Sequence, residues 1–150
     1  MACSNDVAQY KKTVFDEKNI PLSIHFNETK AQILSRFGKE NLRDENADFL
    51  FYDISLKGND SYTYAFKFYN DTLYGLEVGL FIQNPKQANA LFTDVTNDLN
   101  DQISQHKKID NRAFVWYVRD SLSNKNTEIE WRNESAQFGV LTMLYNNIDF

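Results

Sequence analysis

Three kinds of side chain in this 150-residue chain could do chemistry: one cysteine, two histidines, and two glutamates two positions apart. Cys3 is followed by the polar run Ser4-Asn5-Asp6, so its thiol reads either as a lipid attachment point with a short polar tether or as a free thiol. A lone cysteine forms no intramolecular disulfide. His25 and His106 lie far apart, and neither has a cysteine or acidic residue at metal-ligand spacing. His25 reads as the solvent side of a strand, and His106 as a helix end where a positive charge suits the dipole. Glu128 and Glu130 share a strand face with Arg132, opposite Ile129 and Trp131. Residues two apart on a strand are separated by about 7 Å, within reach of a paired-carboxylate hydrolase, yet the solvated face of an edge strand gives the same pattern.

The other familiar signatures are missing. No Gly-x-Ser-x-Gly elbow occurs, and the helix starting near Asn84 follows Phe81-Ile82-Gln83 rather than a glycine-rich phosphate loop. The residues therefore imply no catalytic group, no metal and no cofactor. A formal charge of -5 argues against nucleic acid, because phosphate binding needs a basic stripe. No apolar run has the length of a membrane span, so the sequence offers contact with a membrane only through a lipid at Cys3. That reading places the protein in the periplasm or outer envelope, and a free thiol places it in the cytoplasm.

The elements that must position these residues follow from periodicity. Residues 1–19 read as a tether or short helix, and 20–150 as a single domain. Ile20, Leu22, Ile24 and Phe26 alternate as a strand; Asn27 is placed as the cap of a helix carrying Ile33, Leu34 and Phe37 and ending at Gly38. Lys39 to Asp48 reads as a charged loop. Strands are expected at Phe49–Leu56, Tyr62–Tyr69 and Leu73–Ile82, with Tyr62, Tyr64, Phe66 and Phe68 on one face. Asn84, Pro85 and a capping-box Gln87 begin a long helix whose Ala88, Leu91, Phe92, Val95, Leu99 and Ile103 recur at helical spacing to about His106. Strands at Phe114–Asp120, Thr127–Arg132 and Phe138–Tyr145 close the chain.

The order suggests an α+β fold with a mostly antiparallel sheet, built from two helix-strand-strand-strand units with their helices packed on the sheet. The match of Tyr74-Gly75-Leu76 with Phe138-Gly139-Val140, a shift of 64 positions, reads either as an internal repeat of about 27–83 and 84–147 or as chance similarity between two amphipathic hairpins. From Ile20 through Gly38, a strand, a Thr29-led helix and the pair Phe37-Gly38 resemble small bacterial envelope modules of the beta-lactamase-inhibitor-protein-like and outer-membrane-assembly lipoprotein group. The resemblance implies a concave, aromatic-rich sheet face that binds a protein. The missing paired cysteines and the long second helix depart from the inhibitor pattern, so no functional residue carries over.

The function expected is a non-enzymatic protein-binding module, an inhibitor or toxin-neutralising immunity protein whose partner is another protein such as a basic enzyme or toxin. Candidate contact residues are Tyr117, Arg119, Glu128, Glu130, Arg132 and Tyr69. The alternative is a small-ligand-binding domain or small hydrolase with a pocket between the sheet and helix 84–106. A deep polar pocket would favour the second reading and a flat or concave aromatic face the first. Phe49, Phe51, Tyr69, Tyr117 and Tyr145 are core if helices cover both faces of the sheet and contact surface if only one face is covered.

Overall fold

The computed structural model describes residues 2–134 and 139–149. Its elements run α1 (Ala2–Lys11), a π-helical turn (Lys12–Asp16), α2 (Lys30–Phe37), β1 (Leu42–Glu45), β2 (Phe49–Ser55), β3 (Ser61–Tyr69), β4 (Thr72–Ile82), α3 (Pro85–Gln102), β5 (His106–Asp110), β6 (Ala113–Arg119), β7 (Asn126–Asn133) and β8 (Gly139–Asn147). All eight strands form one antiparallel sheet in the order β1-β2-β3-β4-β8-β7-β6-β5. The fold is α+β with helices packed on an antiparallel sheet, and each half of the sheet holds four strands rather than the expected three.

The additional strands are the two outermost. β1 lies within the segment read as a charged loop, and β5 begins at the residue read as the end of a helix. Each is short, polar and mostly or wholly exposed, so neither shows the apolar alternation that marks a strand buried on one face. The two halves keep step: β5 and β6 start 64 residues after β1 and β2, and β7 starts 65 after β3. In the last strands the shift of 64 does not preserve the faces. A side chain at Gly75 would meet Asn146 and Lys67 on the open face, and one at Gly139 would run into Ala88 and the Ile82 carbonyl beneath α3.

The strand expected at Ile20–Phe26 is instead a series of turns containing a cis Ile20-Pro21 peptide. Ile20, Ile24 and Phe26 are buried all the same, so the alternation correctly marked core residues but not their backbone shape. The cap of α2 is Thr29 rather than Asn27: its hydroxyl accepts from Gln32 N–H at 3.3 Å, and the Gln32 amide oxygen accepts from Thr29 N–H at 2.8 Å. Gly38 ends the helix with φ of 76°, as expected of a residue without Cβ. In α3, Asn84 caps the first turn through Lys86 N–H at 2.9 Å, whereas Gln87 turns to Asp6 of α1 and forms no capping box.

Every helix lies on the same side of the sheet. Phe37 of α2 packs its ring on Tyr52, Tyr64 and Phe66. Phe92 of α3 stacks on Trp131 at 5.4 Å, while Phe15 of the π-helical turn meets the same indole edge-on at 5.7 Å. The N-terminal segment is part of this core, since Val7, Tyr10, Val14 and Phe15 are all buried. The Tyr64 hydroxyl donates to the Val14 carbonyl at 2.5 Å and holds a pKa raised by burial first, then by Tyr62 and Glu17. Phe138, the expected start of the last strand, lies outside the described residues.

Candidate binding surface

With the helices on one side, strand alternation assigns the other face residue by residue. Ala113, Val115, Tyr117 and Arg119 of β6 point away from the helices, as do Glu128, Glu130 and Arg132 of β7, whose neighbours Ile129 and Trp131 are fully buried beneath α3. The register sets Tyr117 against Glu128, Val115 against Glu130, and Ala113 against Arg132. Five of the six candidate contact residues therefore share one open surface. The Arg132 guanidinium is in close contact with the Glu130 carboxylate, and Ala113 and Val115 are buried between these longer side chains despite facing away from the core.

Tyr69 is separate. It ends β3, 58 % exposed, at the same end of the sheet as Arg119, but β4, β8 and β7 intervene. Four strand spacings put it about 19 Å away. Tyr145, placed among the two-faced aromatic positions, belongs wholly to the core: its ring packs on Phe26 at 4.9 Å and its hydroxyl donates to the Ile24 carbonyl at 3.2 Å. Cys3 falls in α1, in a stretch whose side chains lie outside the described residues.

Arg119 borders a cleft of about 480 Å³ with Tyr117, Gln105, Asn126 and Ile148. The cleft forms because β5 stops short. The Tyr117 N–H donates to the Gln105 carbonyl at 3.0 Å, just before β5, and past that point β6 has only β7 beside it. The amide oxygens of Asn124 and Asn126 accept from the Arg119 guanidinium at 2.8 and 3.2 Å and hold it at the rim. Under α3 the situation differs: the cavity beside Val95, Leu99 and Met143 measures about 40 Å³, room for little more than a water.

Sequence reasoning missed one cluster. His25 sits in the turn segment, and its Nδ1 meets Asp120 Oδ1 at 2.6 Å; Asp120 is buried at the end of β6. Asp120 also takes a short hydrogen bond from the Ser123 hydroxyl and longer ones from Phe26 and Leu122 N–H at 3.3 Å. Burial raises the Asp120 pKa, but the Ser123 and His25 bonds outweigh it and hold the carboxyl below its ordinary value. The three side chains are those of a hydrolase triad in another order. A triad needs imidazole between hydroxyl and carboxylate; here the carboxylate is in the middle, and the hydroxyl proton points at it. The arrangement is a tie between segment 20–26 and the β6–β7 connection. No spacing could reveal it, since 95 positions separate its ends.

Comparison of the chain with known protein families, with curated proteins and with solved structures returns no match.

Proposed function

We propose that this chain is a non-enzymatic protein-binding module that engages a partner protein through the open face of its sheet, centred on Tyr117, Glu128, Glu130 and Arg132. One observation carries the reading: among the described residues all helices cover one face, leaving eight strands open on the other. A twisted sheet of that width offers a continuous surface, and here its aromatic and arginine side chains sit over small neighbours such as Ala113. An inhibitor or immunity protein is the kind of binder that size and acidity suit, because net negative charge steers it toward a basic partner. Lipidation at Cys3 would add an envelope address to the same function. The space beneath the middle of α3 is filled, so the small-ligand alternative falls to the cleft of about 480 Å³ at the end of that helix, where Gln102 and Ile103 face Tyr117 and Arg119.

Immobilised protein should retain one stoichiometric protein from a lysate or secreted fraction of its source, and Tyr117→Ala combined with Arg132→Ala should weaken that capture by about tenfold or more. Exposed substitutions on α3 should leave it unchanged. Equal capture by the face variant and the wild type, or loss of capture through α3 substitutions alone, sinks the reading.

A further inference from the structure

The two edges of the sheet carry opposite charge. β1 with the turn after it, Leu42 to Asp48, holds Arg43 against Asp44, Glu45 and Asp48, a formal -2. β5 with its turn, His106 to Arg112, holds Lys107, Lys108 and Arg112 against Asp110, a formal +2 in a chain whose total is -5. All five residues of β5 are exposed, as are Arg43, Asp44 and Glu45 of β1. Glu45 lies 3.5 Å from Lys30 of its own chain, which neutralises part of the acidic edge; Asp44 faces solvent.

We infer that β1 of one molecule docks against β5 of a second copy, extending the sheet from molecule to molecule. An edge strand presents unpaired N–H and C=O groups and so can template a further strand. Charges on an edge ordinarily keep sheets apart, and they do so when both edges carry one sign. Here only the like joins are opposed: β5 on β5 sets lysines against lysines, and β1 on β1 sets carboxylates against carboxylates. The mixed join is attractive.

Strand direction allows it as well. Eight strands alternate across the sheet, so β1 and β5 run in opposite senses, and a copy shifted sideways without turning over meets its neighbour antiparallel. The edges match in length, four and five residues, and each is irregular at one step, between Leu42 and Asp44 and between Lys108 and Asp110. These irregularities keep the shared ladder short, so attraction between exposed charges supplies much of the affinity and salt should weaken it. The contact joins two different surfaces, so association is open-ended rather than closed at a dimer.

Sedimentation velocity on the whole chain tests this. At about 20 mM salt the weight-average mass should rise at least about twofold with concentration, and at about 500 mM salt it should return to the monomer. Lys107→Glu with Lys108→Glu makes both edges acidic, and Asp44→Lys with Glu45→Lys makes both basic. Each variant alone should stay monomeric, while an equimolar mixture should associate again. The restored mixture also shows that both variants are folded. A wild type that remains monomeric at low salt, association that survives both charge reversals, or a mixture that stays monomeric overturns the inference.

Discussion

The two halves of the sheet share a strand plan but are covered in different ways. Over β5 to β8 lies α3, 18 residues long, whose apolar stripe meets Trp116, Trp131, Leu141 and Met143. Over β1 to β4 lies α2, only 8 residues; α1, the π-helical turn and the irregular segment 17–29 complete the cover and reach across into the other half, where Phe15 meets Trp131 and Phe26 packs on Tyr145. The long helix satisfies its own backbone, and its ties to the rest of the molecule run mostly through side chains: Trp116 N–H to Asn100 at 3.0 Å, Asn133 to Asn89 at 2.7 Å, Lys11 to Asp98 at 3.0 Å and Gln87 to Asp6 at 3.5 Å, with a backbone tie from Trp131 N–H to the Phe92 carbonyl at 3.2 Å. An irregular segment has no ladder of its own, so its polar groups need individual partners. They have them: Tyr145 bonds Ile24, Leu73 N–H bonds the Glu28 carbonyl, and Asp120 bonds His25 and Phe26. Both covers combine packing with specific polar ties: the regular cover is tied mostly through side chains, the irregular cover mostly through its backbone groups.

The largest effect should come from breaking the helix-covered half. Trp131 has no solvent exposure and lies between Phe92 of α3 and Phe15 of the π-helical turn. Trp131→Ala removes both ring contacts and leaves a cavity, which predicts a loss of about 3–5 kcal/mol in urea unfolding. Because the irregular cover spans both halves, with Phe15 on Trp131 and Phe26 on Tyr145, the unfolding transition should remain a single step. Two separate transitions would show that the halves are independent and that the comparison describes two domains.

How much of this was legible in the sequence follows the same division. The helix α3 could be read almost residue by residue: Asn84, Pro85 and the stripe from Ala88 to Ile103 are local signals, and local hydrogen bonds realise them. The aromatic ladder of β3 was equally plain, with Tyr62, Tyr64, Phe66 and Phe68 all buried. Segment 20–26 misled because period-two alternation and a chain of turns can bury the same Ile20, Ile24 and Phe26. The strands β1 and β5 escaped because exposed edges have no reason to alternate. At the surface, alternation puts Glu128 and Glu130 with Arg132 on one strand and Tyr117 with Arg119 on another, but that these two sets adjoin while Tyr69 lies four strands away depends on the order of strands across the sheet, which is not written in any one strand.

A smaller effect, confined to the irregular cover, should follow from loss of the His25–Asp120 tie. Asp120→Asn keeps the size of the side chain but removes the charge that faces His25, and about 1–3 kcal/mol of stability should go with it. Hydrogen exchange should quicken at Ile24 and Phe26 while the amides of α3 keep their protection. The pH dependence has a definite sign. The folded carboxyl titrates below its ordinary value, so its contribution is complete above about pH 4 and is lost as pH falls through the lower folded value. Wild type should therefore lose more stability than Asp120→Asn between about pH 5 and pH 2. Parallel acid curves for the two proteins would mean that the tie carries no charge-dependent stability.

The smallest expected effect gives the sharpest test, because it asks whether a short helix within irregular cover behaves as a helix at all. Thr29 and Gln32 close both hydrogen bonds of a capping box at the start of α2. In an 8-residue helix one cap supports most of the first turn, since so short a helix is not stable by itself. Thr29→Ala should cost about 1 kcal/mol, and Thr29→Ser should restore most of it. The corresponding loss at α3, Asn84→Ala, removes a single bond to Lys86 N–H from a helix more than twice as long, whose buried stripe persists without it. Thermal unfolding of the two alanine variants should thus place Thr29→Ala below Asn84→Ala. The reverse order would mean that tertiary packing alone holds α2 and that its capping contributes little.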